Sequence, residues 1–219
     1  KLKNPRIADP KKLVFIVDHN VPSDSPKTAA SQKKMRDFAK ANNIDFWEGK
    51  GVCHQVMMEH YVCPGELIFG ADSHTCSYGA LGAFGTGVGC TDLLYGMVTG
   101  KSWVLVPETV KFNLVGKLPE GVYARDLILT IIGTIGANGC NYQVMEFTGE
   151  GAKTLSISER MVLCNMAVEA GAKTGIFEPD EKAIEYLEAH GRKPKALFTS
   201  DPDAVYAREY TFDLSKIRP

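Results

Sequence analysis

A rhythm of short apolar runs alternating with longer stretches of helical spacing constrains this chain more than any single residue does. "KLVFIV" (12–17), bounded by charge and by Asp18-His19-Asn20, predicts a buried strand. "SPKTAASQKKMRDFAKANN" (25–43) predicts an amphipathic helix, with Ala29, Met35, Phe38 and Ala39 near helical spacing. "IDFWE" (44–48) reads as a strand, "HQVMMEHYV" (54–62) as a helix stopped near Cys63-Pro64-Gly65, and "ELIFGA" (66–71) as a strand. "TDLLYGMVTG" (91–100) is helical, and "KSWVLV" (101–106) reads as a strand ending at Pro107. A second cycle follows: strand 109–116, helix 124–136, strand 144–149, helix 156–172 with Ser158 as its N-cap, helix 180–191 and strand 206–214. Strands alternating with helices predict an α/β architecture with mostly parallel sheets. A boundary near Pro107-Glu108 divides it into domains 1–107 and 108–219.

Composition narrows the function. Of 219 residues, 44% are hydrophobic and 23% charged, which is an ordinary globular balance. The net charge is −1 and no basic block occurs, so nothing points to nucleic acid. The longest apolar runs are about six residues, far short of the roughly 20 that span a bilayer, and no secretory signal is visible. The six cysteines (53, 63, 76, 90, 140 and 164) sit beside apolar residues and include no CxxC pair. Reduced thiols in a cytoplasmic protein are the expectation. The chain opens without Met and stops just after a strand, so a portion of something longer is expected.

The reactive side chains gather where strands end. Ligands of open α/β sheets bind beyond the carboxyl ends of the strands. Asp18-His19 follows the first strand, and Asp72-Ser73-His74 follows "ELIFGA" and precedes a glycine-rich stretch. A post-strand Asp is also a common turn former, and His54 is equally suited to helix capping. Glu146 interrupts the apolar run of "YQVMEFTG"; it faces solvent on an alternating strand or, if buried, needs a partner. "GAFGTGVGC" fails as a dinucleotide fingerprint, because Cys90 stands at the third glycine position. Its glycines instead allow close backbone approach. His54 and His60 are six apart, so no HExxH metal helix is present.

"DHN" (18–20), "GVCHQV" (51–56), "PGELIFGADSHTCSYGALGAFGTGVGCTD" (64–92), "YQVMEFTGEG" (142–151) and "SISERMVLCNMAVEAGAKTGIFEPDE" (156–181) together resemble the aconitase superfamily. Within it they are most similar to the large subunits of the prokaryotic two-subunit branch, from about Leu13 to Asp213. The resemblance implies two three-layer α/β/α domains with mostly parallel sheets, the aconitase-like domains 1 and 2, without the third, cluster-binding domain. It implies a hydro-lyase that interconverts 2- and 3-hydroxy acids, such as 3-isopropylmalate or homocitrate/homoaconitate, in amino-acid (leucine) biosynthesis. It further implies a [4Fe-4S] cluster and a separate small subunit that carries the general base. On the family's motifs, Asp18 and His19 form one acid–imidazole pair, Asp72 supports His54, and Glu146 from the second domain supports His74. Ser73 and His74 would touch substrate.

The family's cluster cysteines lie on an SCTN-type loop and a later CxxC, and neither motif occurs here. The cluster ligands are therefore expected outside these residues, and no metal ligand is assigned within them. Three alternatives stay open: a citrate isomerase of the same family, a non-catalytic binding or assembly piece that lacks the cluster, and a metal hydrolase that uses His19, His54 and His74 directly as ligands.

Overall fold

The computed structural model describes residues 6–219; the first five residues of the expected first domain lie outside that range. In chain order the elements are β1 (Val14–Val17), α1 (Pro26–Asn42), β2 (Asp45–Glu48), α2 (Cys53–His60), β3 (Leu67–Gly70), β4 (Phe84–Gly87) and α3 (Cys90–Thr99). There follow β5 (Thr109–Val115), α4 (Ala124–Ile135), β6 (Val144–Thr148), α5 (Glu150–Thr154), α6 (Ile157–Asn165), β7 (Thr174–Phe177), α7 (Glu181–Ala189) and β8 (Arg208–Asp213). A 3-10 helix, Ser73–Leu81, lies between β3 and β4. The fold is mixed α/β, and the β1/β2 and β3/β4 ladders and the sheet β7-β6-β5-β8 are all parallel. Among the described residues no helix is long and apolar enough to cross a membrane.

Two compact units divide the chain. The first holds residues up to Met57 together with Gly89–Val104; the second holds Met58–Val88 together with Leu105–Pro219. Residues 58–88, which the sequence groups with the first domain, thus pack with the second. The reason lies in the 3-10 helix. Thr75 to Leu81 are all buried, and a Cβ on Gly79 would stand 1.7 Å from the Gly175 carbonyl oxygen of β7. Only a residue without a side chain lets this helix seat on the sheet.

In the first unit, α1 begins with Ser25, whose Oγ accepts the Thr28 amide at 3.2 Å, and with Pro26 at the first helical position. It ends on Asn43 in the left-handed region, at φ 54°. Val17, Ala39 and Ile44 are buried here.

The second unit has the larger core. Phe112, Phe147 and Phe177 from β5, β6 and β7 line up across the sheet, with ring centroids 5.6 and 5.1 Å apart. Tyr210 and Phe212 of β8 close on the other side of Phe112 at 5.5 and 6.3 Å. Leu127, Ile128 and Ile131 of α4 and Leu163 of α6 are fully buried. Each such side chain contributes about 1.5–3 kcal/mol relative to exposure. Four of the five β6 residues are buried, the mark of a strand covered on both faces.

Four local readings change. "KSWVLV" is not a strand: Trp103 and Val106 are 79% and 85% exposed, and no ladder partner satisfies the segment among the described residues. The N-cap of α6 is Ser156, not Ser158, because Ser156 and Glu159 form a reciprocal capping box. The same helix stops at Asn165 and continues as a 3-10 turn, Met166–Ala170. β4 emerges from the glycine-rich stretch, to which the sequence assigned no strand, since Gly85 lets the strand press against the Thr75 carbonyl, where a Cβ would lie at 2.2 Å.

Candidate active site

In the first unit, β1 ends at Val17 and the next two residues carry the chemistry. The His19 ring nitrogen Nδ1 lies 2.7 Å from Asp18 Oδ1, which sets the ring's tautomer and direction. The other Asp18 oxygen accepts the Cys53 amide at 2.7 Å, at the start of α2. Burial works against the ionised Asp18 carboxyl, but the Cys53 amide, His19 and the Cys53 side chain outweigh it and hold its pKa below the usual carboxylate range. Asp18 is thus the fixed anion of the pair, and the His19 side chain is 84% exposed. His54 occupies the first turn of α2, half-buried.

In the second unit, β3 ends at Gly70 and Asp72 caps the 3-10 helix by accepting the His74 amide at 2.7 Å. The His74 ring lies 3.4 Å from the same carboxylate through Nδ1, and its Nε2 stands 3.9 Å from Glu169 Oε1. Ser73 Oγ is 3.4 Å from His74 Nδ1. Asp72, Ser73 and His74 therefore form one cluster on the rim of a buried helix.

Glu146 sits in the middle of β6 and is 8% exposed, so it is the buried carboxylate of the two readings left open by its sequence context. The expected contact with His74 is not among its hydrogen bonds. Its carboxylate accepts instead from Ser200 Oγ, at 3.0 and 3.1 Å, and from the Tyr206 hydroxyl at 3.1 Å. The segment joining α7 to β8 supplies both hydroxyls. His74 and Glu146 also belong to one compact unit, whereas the sequence places them in separate domains. Ser200, as a partner of Glu146, and Glu169, as a partner of His74, escape sequence reasoning, because both depend on contacts between distant segments. Tyr206 was visible only as the first residue of an expected strand.

Across the comparison with known families, a model described as the aconitase family (aconitate hydratase) matches residues 2–219. The chain belongs to the aconitase family. The chain is 50% identical over 217 residues to a protein of Methanothermobacter thermautotrophicus named probable 3-isopropylmalate dehydratase large subunit, covering 98% of this chain and 52% of that protein. It is also 50% identical over 218 residues to a Pyrococcus furiosus 3-isopropylmalate dehydratase large subunit 1, covering 98% of this chain and 51% of that one. The Aquifex aeolicus large subunit of the same name is 47% identical over 217 residues, covering 98% of this chain and 50% of its own length. The chain spans about half the length of the curated relatives it matches.

Aconitase-family membership raises the question of an iron–sulfur cluster, whose ligands are thiolates. The thiols here do not fit one. Burial pushes the Cys76 thiol up to about 12. Complete burial raises Cys164 well above the usual thiol range, and burial raises Cys140 as well. Cys76 is spent on the Asn165 carbonyl at 3.4 Å, and Cys90 lies exposed on α3. Among the described residues no three cysteines approach closely enough to share one ion.

Proposed function

We propose that this chain contributes proton-handling groups to a hydro-lyase that removes water from, and returns it to, a hydroxy di- or tricarboxylic acid, with 3-isopropylmalate as the substrate. The observation that carries the reading is the acid–imidazole pair at a strand end, Asp18 with His19 at 2.7 Å, in an aconitase-family chain. Dehydration needs a proton delivered to a departing hydroxide, which is a poor leaving group on its own. An imidazole oriented by a fixed carboxylate suits that task. In this reading Asp18, His19, His54, Asp72, His74 and Glu146 are the proton-handling groups, and Ser73 contacts substrate together with His74.

The names of the relatives, each a large subunit, support a small-subunit partner. No step is assigned to a cluster, since the thiols present do not fit one. The test is a chimera: this sequence replaces the matching segment of the Methanothermobacter thermautotrophicus large subunit and is co-expressed anaerobically with that organism's small subunit. Dehydration of 3-isopropylmalate, followed by proton NMR, is the expected result. A folded, assembled chimera that is inert toward 3-isopropylmalate but turns over citrate would move the substrate within the family. Inertness toward both would favour the non-catalytic alternative.

A further inference from the structure

The surroundings of Glu146 say more than its burial. A carboxylate inside a parallel sheet must have its lone pairs filled. Here two hydroxyls from the α7–β8 segment do so, and they do it unequally. Ser200 has one hydroxyl proton, shared between Oε1 at 3.0 Å and Oε2 at 3.1 Å. Tyr206 donates to Oε1 alone, at 3.1 Å. Oε1 is thus the anchored oxygen, and Oε2 keeps most of its capacity for a second donor.

The charged groups around the carboxylate are otherwise engaged. Lys111 stands opposite Glu146 in the β5/β6 ladder, yet its Nζ pairs with Glu209 at 3.5 Å and lies 4.8 Å from the centre of the Tyr206 ring. Glu178 accepts the Ser200 amide at 3.0 Å and so holds the serine in place. Burial raises the Tyr206 phenol above its usual pKa, and the charge and hydrogen bond of Glu146 add to that, while Ser200 and Lys111 act in the opposite sense. Tyr206 therefore stays a donor at neutral pH.

We propose that Ser200 and Tyr206 are positioning residues: their hydroxyls lock the Glu146 carboxylate in one orientation, Oε1 tied and Oε2 presented, and act on the reaction only through it. The proposal rests on the reading of Glu146 as a proton-handling group. A carboxylate that must take a proton from one direction loses rate when it can swing, and misplacement by about 1 Å costs up to about a hundredfold.

Two measurements test it. In the full chain carrying ring-13C tyrosine, Tyr206 is identified by the resonance lost in Tyr206→Phe and is then titrated. Glu146→Gln should move its midpoint downward; an unmoved midpoint overturns the contact on which the proposal stands. In the chimeric two-subunit enzyme, Tyr206→Phe and Ser200→Ala should lower kcat about ten- to a hundredfold with KM within about threefold. Ser200→Thr, which keeps the hydroxyl, should restore most of the loss. Full turnover in Tyr206→Phe and Ser200→Ala, with Glu146→Gln inactive, overturns the positioning role alone. Retained turnover in Glu146→Gln overturns the reading of Glu146 and the positioning role with it. Urea midpoints accompany each variant, and where Tyr206→Phe fails to fold, the Ser200 pair decides.

Discussion

Asp18-His19 and Asp72-Ser73-His74 both follow the carboxyl end of a parallel strand, β1 and β3, but what the chain does next differs. After β1 it runs through exposed bends from His19 to Asp24, and the imidazole direction depends on the Asp18 contact. After β3 it enters a 3-10 helix buried from Thr75 to Leu81 and pressed on the backbone of β7. The same residue types are thus mounted once on a compliant turn and once on a rigid scaffold. A compliant mount tolerates substitution around it but leaves the aim of its imidazole to side-chain contacts such as that with Asp18. A rigid mount aims through packing, and its failures are failures of folding.

The largest effect expected from this contrast is in turnover. His74→Ala in the chimeric enzyme should lower the dehydration rate about 10²–10⁴-fold, the usual cost of losing a general acid or base. Because the ring sits at the rim, with 39% of its side chain exposed, the urea midpoint should hardly move. His19→Ala should match that loss if the two mounts serve one reaction. Normal turnover with a collapsed midpoint in His74→Ala would make the second mount purely structural.

Next comes the scaffold itself. Gly79→Ala drives a methyl group to 1.7 Å from the Gly175 oxygen, backbone against backbone, with no flexible side chain to yield. We expect a loss of about 3 kcal/mol or more, read as a fall in urea midpoint. Tolerance there would erase the distinction between the mounts. A smaller effect is expected at the cap. Asp72→Ala removes the acceptor of the His74 amide and should cost about 1 kcal/mol, whereas Asp72→Asn should recover most of it. Chemical denaturation of the three proteins side by side provides the check.

These contrasts show where sequence is informative. Ser25-Pro26 and the apolar spacing behind it mark α1 in plain terms, and Asp-His pairs after apolar runs mark both strand ends. β4 was hidden because Phe84-Gly85-Thr86-Gly87 offers almost no side-chain pattern; its reason for being extended is a neighbouring carbonyl that only the fold supplies. "KSWVLV" misled in the opposite sense, with strand composition but no ladder to join. Ser156-Ile157-Ser158-Glu159 did contain its answer, since Ser three residues before Glu is the capping-box pattern. The partners of Glu146 had no such signature: Ser200 and Tyr206 lie 54 and 60 positions away on irregular chain.

The smallest effect expected is in the acid response of the first mount. The folded pKa of Asp18 lies below the unfolded aspartate value of about 3.9. Its contribution to stability is therefore fully present above that value and disappears as pH falls through the folded pKa. Asp18→Asn should narrow the gap in stability between neutral pH and about pH 2.5, measured by urea midpoints, and should leave the Asp72 cap untouched. An acid response equal to that of the unsubstituted chain would mean that the Asp18 contacts are too loose to aim His19.

The order β7-β6-β5-β8 also has a consequence for a chain emerging from a ribosome. β5 finds β6 within a few dozen residues, but its other edge waits for β8, where Val110 meets Arg208, 98 positions later. At roughly 5–20 residues per second, that edge stays open for about 5–20 s. During that interval Phe112 lacks the Tyr210 and Phe212 rings that later pack beside it. A nascent chain of this design is most exposed to wrong pairing just before β8 is made, and slowing translation upstream of residue 208 would lengthen that window.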